Sequence, residues 1–327
     1  MTSYITKRFQ AVSEAFPSYQ WLAYYHESIA GYRHWFASEG ELKRPGLQEC
    51  RNALQTYMPE FVPLWEHLIK ITQADDVDAR LLSFYCPAPY LSGCSQAVWT
   101  RYSPILVRNY DYAPEFCEGR IMKTHWHNTG VIASTDCLWG VLDGMNEHGL
   151  SVSLAFGGKE DVTEGFSIPI ILRYVLEFCS TVDDAVKVLN RVPAHMAYNV
   201  TLLDAQGQVR TVELTPFSSP NITYKPLAVN HQGDYELTNY AIFSRSYERQ
   251  QFLLGKLYDP LSNIESFVNA FEYSPLFASN YAQGFGTLYT AIYNPQLRAM
   301  EYRWPNHVRM YQSFAFFEEY EVWVNLA

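Results

Sequence analysis

Gly93-Cys94-Ser95-Gln96-Ala97-Val98-Trp99-Thr100-Arg101-Tyr102-Ser103-Pro104-Ile105-Leu106-Val107-Arg108-Asn109-Tyr110-Asp111 opens on a glycine and a thiol and closes on a cation and a carboxylate. Two β-branched and aromatic runs, Ser95–Tyr102 and Ile105–Tyr110, flank a Ser103-Pro104 turn, the pattern of a β-hairpin. A hairpin returns its second strand alongside its first, so Arg108 and Asp111 are expected beside Cys94. Most unpaired cysteines are small buried hydrophobes. A guanidinium close to a thiol gives it another character, because the cation favours thiolate and lowers the pKa.

The same strand signal recurs downstream. Asn199–Asp204 and Gln208–Leu214 flank Ala205-Gln206-Gly207, and Thr287–Tyr293 and Arg298–Arg303 flank Asn294-Pro295-Gln296. Helices are predicted over about 167–179 and 182–191, the second opened by Thr181 with Asp184 three residues on. Hairpins with helices grouped between them indicate an α+β fold, not a parallel βαβ sheet. Upstream, Pro17 to Ser38 carries Trp21, Leu22, Tyr25, Ile29, Tyr32 and Phe36 at helical spacing, with Gly40 as a stop. Two more helices are predicted over about 46–58 and 60–73. Residues 1–93 thus read as a helical pre-segment and 94–327 as the body. Trp21, Tyr24, Tyr25, Tyr32 and Trp35 are expected to be core.

The 327 residues are 48% hydrophobic, enough for a deep core without disulfides or a metal. Charged residues make up 18% and the formal net charge is −10. So acidic a chain lacks the positive field that nucleic acid or an anionic membrane surface requires. Met1 to Gln10 has no apolar core behind Lys7-Arg8, so no signal peptide is expected. The uncharged stretches Leu81–Thr100 and Tyr273–Leu297 are broken by Pro, Gly and polar residues and do not read as membrane spans. Six cysteines without a CxxC indicate free thiols in a reducing cytoplasm.

An ordinary Asp is too acidic to be the base for a thiol. A free α-amine, with a pKa of about 7.7–8.0, suits the task better. Cys94 would own one if the chain were cut after Gly93, whose lack of a side chain leaves its carbonyl open to attack. Asp111 would then hold the amine. A Cys/His pair without cleavage, using Cys94 with His125, His148 or His231, is the competing arrangement. His125-Trp126-His127 with Asp136 and Cys137 nearby raises zinc, but the ligand spacing is poor and packing is the default expectation.

Gly93-Cys94-Ser95, Arg108-Asn109-x-Asp111 and Asp143-Gly144-Met145-Asn146-Glu147-x-Gly149-Leu150 together resemble the N-terminal-nucleophile (Ntn) amide hydrolases. Within them the chain is most similar to the acyl-coenzyme A:6-aminopenicillanic acid acyltransferase group. Choloylglycine hydrolases, penicillin V acylases and acid ceramidase are more distant relatives. The resemblance runs from about Phe9 to Tyr302. It implies a four-layer αββα sandwich of two antiparallel sheets behind a helical N-terminal segment. It further implies self-cleavage before Cys94 and hydrolysis or acyl transfer at a linear amide.

By motif match, Arg108 and Asp111 flank the nucleophile. Asn230 in Val229-Asn230-His231 corresponds to the downstream Asn that donates to the oxyanion. Arg249 corresponds to a late supporting Arg, with Arg245 a close rival. Bile-salt hydrolases carry Leu-Asn-Phe where this chain reads Leu154-Ala155-Phe156, so the second oxyanion donor is expected to be a backbone N–H. Bile salts become a less suitable substrate for the same reason. No metal or organic cofactor is implied. The expected partner is a small N-acyl amide, with an acyl-coenzyme A donor and a homo-oligomer left open. A non-catalytic, uncleaved binding protein on the same fold is the alternative.

Overall fold

The computed structural model describes residues 5–233 and 239–326. Its strands are β1 (Ile5–Ser13), β2 (Gly93–Trp99), β3 (Ile105–Tyr112), β4 (Arg120–Thr124), β5 (Val131–Asp136), β6 (Gly140–Asn146), β7 (Ser151–Phe156), β8 (Tyr198–Leu203), β9 (Val209–Thr215), β10 (Ser218–Thr223), β11 (Leu227–Ala228), β12 (Gly286–Asn294), β13 (Ala299–Arg303), β14 (Met310–Ser313) and β15 (Tyr320–Leu326). Its helices are α1 (Tyr19–Phe36), α2 (Leu47–Tyr57), α3 (Val62–Thr72), α4 (Asp76–Leu82), α5 (Ile168–Phe178), α6 (Val182–Arg191), α7 (Asn239–Phe243), α8 (Ser246–Tyr258) and α9 (Ile264–Asn269). No helix among the described residues is long and apolar enough to cross a membrane.

Two sheets stack face to face. One runs β10-β9-β8-β7-β6-β5-β4-β1-β15 and the other β11-β2-β3-β12-β13-β14. Helices α5 and α6 lie against the first. Leu253 of α8 and Phe267 of α9 pack with Ala97, Val107 and Leu227 on the outside of the second. The result is an α+β sandwich with helices on both outer faces. The three hairpins and the helices read from sequence form within two residues of their expected limits, except that the first strand of the leading hairpin ends at Trp99, three residues before the expected Tyr102. Thr181 caps α6 by accepting from the Asp184 N–H at 3.2 Å.

The front of the chain is mainly helical, as expected, but it also supplies a strand that was not expected. β1 inserts into the nine-stranded sheet, antiparallel to β15 and parallel to β4, so that sheet is mixed. Phe9 and Ala11, two residues apart, are both buried, as strand periodicity requires. The helical part, α1 to α4, is fastened to the body by indole N–H groups. Trp21 donates to the Leu138 carbonyl at 3.0 Å, and Trp139 donates back to Leu82 at 3.1 Å. The front aromatics split: Trp21, Tyr24 and Tyr25 are buried, while Tyr32 and Trp35 are partly buried against the core.

A partly buried acidic cluster joins α1 to the turn between β5 and β6. The Tyr32 hydroxyl donates to Glu118 and lies 3.4 Å from Asp136 Oδ1. Leu138 N–H and Thr135 Oγ1 donate to the same Glu118 at 2.8 and 2.7 Å. Burial, reinforced by the Glu118 charge, pushes the Asp136 carboxyl up to about 8. A carboxyl raised on folding holds its proton where the unfolded chain has released it. Its contribution to stability is therefore complete below about pH 4 and is lost as pH rises to about 8. Asp136→Asn should thus leave the melting temperature nearly unchanged at about pH 4 and raise it by roughly 3 °C or more at about pH 9. Thermal unfolding of both proteins at the two pH values checks this, and an equal shift at both would contradict it.

Candidate active site

The β2–β3 register explains how a local hairpin assembles the site. Cys94 lies opposite Tyr110 and Gln96 opposite Arg108, so Cys94 and Arg108 are diagonal neighbours on one face. Arg108 Nη2 donates to Cys94 Sγ at 3.1 Å. Gly93 lies opposite Asp111 on the alternate positions. A Cβ at Gly93 would stand 2.5 Å from Phe285 and 2.9 Å from the Asp111 Cβ, so this strand position accepts only glycine.

Asn230, just after β11, accepts the Cys94 N–H on Oδ1 at 2.9 Å. Its Nδ2 donates to the carbonyls of Phe156 at 3.0 Å and Ser92 at 3.3 Å. Arg249 reaches in from α8. Its Nη1 meets the Cys94 carbonyl at 2.7 Å and Ser95 Oγ at 2.8 Å, and its Nη2 meets Asn230 Oδ1 at 2.7 Å. Asp111 Oδ2 lies 3.5 Å from Arg249 Nη1, and Asp111 Oδ1 accepts from Thr287 at 2.7 Å. Cys94, Arg108, Asp111, Asn230 and Arg249 are therefore one buried, mutually bonded cluster. Arg245 stands outside it, exposed and paired with Glu248.

Burial dominates the electrostatics. It pushes the Cys94 thiol up, against the opposing pull of Arg108, so the lowering expected from the guanidinium alone is not the net result. Burial also raises Asp111, against Arg249 and the Thr287 hydroxyl. Cys94 is fully sealed from solvent in the continuous chain. A cleft of about 940 Å³ lies elsewhere, between α2 and residues 162–164, with Arg44, Cys86 and His195 on its walls.

Among the described residues no histidine hydrogen-bonds the Cys94 sulfur. His125 and His148 are exposed, and His231 Nδ1 lies 2.7 Å from Ser246 Oγ with its ring stacked on Tyr247. His127 packs against Phe61 and Phe178, its Nδ1 3.5 Å from Glu177. Among the described residues no three His, Cys, Asp or Glu side chains are grouped to hold a metal.

Sequence reasoning missed three contributors. Thr287 was recognisable as a strand residue, but its position opposite Asp111 depends on β12 pairing with β3. Asp143, singled out as part of a motif, receives Arg108 on a buried carboxylate. Tyr240, on α7, carries a buried hydroxyl without a hydrogen-bond partner among the described residues and feels the charges of Cys94, Arg249 and Asp111. No spacing signal marks it.

A sequence model of the family described as acyl-coenzyme A:6-aminopenicillanic acid acyl-transferase matches residues 99–309, most of the chain. The chain belongs to that family. The matched span carries Arg108, Asp111, Asn230 and Arg249 and begins after Cys94. No curated protein sequence matches. Among solved structures, a conjugated bile acid hydrolase mutant from Clostridium perfringens is 12% identical, with coverage of 70% of this chain and 96% of that one and a TM-score of 0.45. Penicillin V acylase from Agrobacterium tumefaciens is 14% identical, with coverage of 71% and 86% and a TM-score of 0.42. The Caenorhabditis elegans ortholog of N-acylethanolamine-hydrolyzing acid amidase is 17% identical, with coverage of 63% and 93% and a TM-score of 0.45.

The two arginines near the start of α8 should behave very differently on substitution. Arg249→Met leaves Asp111 and the acceptors around it buried without their cation, and should destabilise by about 3–5 kcal/mol. Arg245→Ala removes an exposed pair and should change stability by less than about 0.5 kcal/mol. Urea unfolding of both variants measures the contrast, and equal losses would contradict it.

Proposed function

We propose that the chain is an Ntn-type cysteine amidase or acyltransferase acting on the carbon–nitrogen bond of linear N-acyl amides. The observation that carries this reading is the pair of contacts on one residue. Arg108 holds the Cys94 sulfur at 3.1 Å while Asn230 holds the Cys94 nitrogen at 2.9 Å. Nucleophile and prospective base are thus fixed on the same backbone unit.

The first reaction is on the chain itself. Cys94 Sγ attacks the Gly93 carbonyl carbon, the C–N bond breaks, and the proton of the thiol passes to the new amine. Water hydrolyses the resulting thioester, leaving a carboxylate on Gly93 and a free thiol and amine on Cys94. The chain is then divided into 1–93 and 94–327. Asn230 Oδ1, already bonded to this nitrogen, is suited to orient the amine, and Asp111 flanks the position that Gly93 vacates. Withdrawal of the new Gly93 end, with the rest of 1–93 still held by β1, would also release the Asn230 N–H now on the Ser92 carbonyl and make it available to a substrate oxyanion.

With substrate, the thiol attacks the amide carbonyl and the amine hands its proton to the leaving nitrogen. Asn230 and a backbone N–H stabilise the tetrahedral oxyanion. Water resolves the acyl-thioester in hydrolysis, and a second amine resolves it in transfer. An acyl-coenzyme A can supply the acyl group in the second case. The sealed thiol of the continuous chain accords with an enzyme that must be opened before it works.

Intact mass and amidase activity on a panel of N-acyl amino acids and penicillins test the reading. Wild type should appear as fragments of 1–93 and 94–327, with activity. Cys94→Ala should remain full length and inactive with its fold preserved. Asp111→Asn should still process but turn over poorly. An uncut wild type with full activity would overturn the amine-as-base mechanism, and an uncut, inactive one would favour a binding protein on this fold.

A further inference from the structure

Asp143 belongs to a motif that the proposed chemistry does not use, and it lies on the opposite sheet from the thiol. Arg108 starts on β3 of the six-stranded sheet, yet two of its three nitrogens are held by the nine-stranded one. Its Nε donates to the Leu154 carbonyl at 2.9 Å and its Nη1 to Asp143. Only Nη2 is left for Cys94. Asp143 is held in turn by phenols. Tyr289 donates to its Oδ2 at 2.7 Å and lies 3.2 Å from Arg108 Nη1. Tyr293 donates to its Oδ1 and meets the Tyr302 hydroxyl at 2.8 Å. Ser134 closes the chain on Tyr302 at 3.2 Å.

Every member is buried, and Arg108, Asp143, Tyr293 and Tyr302 have no exposed surface at all. Burying an ion pair rarely helps a fold more than apolar packing of the same volume would. Such a network between two sheets therefore calls for another purpose. Its far end is a set of neutral hydroxyls and its near end is the sulfur of Cys94.

We infer that Asp143, Tyr289 and Tyr293 are positioning residues that fix the Arg108 fork, so that one arm is held by carboxylate and the other is presented to the Cys94 sulfur. This rests on the reading of Cys94 as the nucleophile. The phenols disperse the charge of Asp143, leaving more of the Arg108 field to the sulfur. Among the described residues, the other charged and titratable groups that act on the thiol are Asp111, Arg249 and Tyr240. All three stay in place in the variants below.

The two kinds of substitution should act in opposite directions. Tyr293→Phe leaves Asp143 less dispersed and should move the Cys94 titration midpoint up by about half a unit. Asp143→Asn keeps an oxygen acceptor for Nη1 but removes the opposing charge, and should move the midpoint down by a similar amount. The midpoint is read from thiolate absorbance near ~240 nm, as the difference between each protein and its own Cys94→Ala partner. At a fixed pH below the midpoint, the fragment beginning at Cys94 should form about threefold more slowly in Tyr293→Phe.

Opposite shifts support the assignment. Shifts of the same sign, or a folded Tyr293→Phe with an unmoved midpoint, overturn it. Should Asp143→Asn fail to fold, Tyr293→Phe alone decides. The absorbance titration needs neither cleavage nor turnover, so a wild type that never cuts counts against the proposed activity, while an unmoved midpoint counts against the positioning role.

Discussion

A guanidinium can be buried between two sheets only if each arm meets an acceptor, and the arrangement around Arg108 follows from that requirement. The residue belongs to one sheet and takes its carbonyl and carboxylate from the other. This cross-sheet attachment sets where β6 and β7 stand relative to β2 and β3. The seam beside it is polar as well, with Gln96 bonded to Ser153 and to the Asn199 carbonyl. An apolar seam could slide by a fraction of a strand spacing; one tied by a buried ion pair leaves an uncompensated charge if it does. Cys94 inherits that rigidity through the one remaining arm.

Arg249 does for the backbone what Arg108 does for the sulfur. It clamps the Cys94 carbonyl, the Ser95 hydroxyl and Asn230 from the outer helical layer. The residue is thus held from both sides of its sheet. This accounts for a thiol that is deeply buried yet surrounded by polar groups, unlike Cys117 and Cys137, whose raised pKa values also come chiefly from burial but whose sulfurs have no guanidinium partner among the described residues. Under the proposed function, burial of the thiol is a cost to reactivity that withdrawal of Ser92 and Gly93 after cleavage would relieve.

What the sequence disclosed was mainly local. The 93–111 hairpin was legible because its turn and its strands lie within twenty residues, and pairing brings Cys94 and Arg108 together at once. Helices with caps, such as Thr181 over Asp184, were legible for the same reason. β1 was not, because its identity as a strand depends on β4 and on β15 at the other end of the chain. Arg245 and Arg249 could not be separated from their spacing alone. The structure separates them through backbone geometry: Arg245 sits in the left-handed region before α8 and turns outward, and Arg249 lies one turn inside the helix facing β2. The net effect on the thiol also escaped sequence reasoning, which sees the neighbouring cation but not the depth at which both are buried.

The central claim is that Cys94 carries the acyl group between donor and acceptor. Peptide mapping by mass spectrometry after brief incubation with a slowly hydrolysed N-acyl amide, quenched in acid, tests it directly. The account predicts the added acyl mass on the peptide that begins at Cys94, released by hydroxylamine as a thioester should be. Turnover of the same amide with Cys94 unmodified, or with the acyl group on one of the other five cysteines, would contradict it.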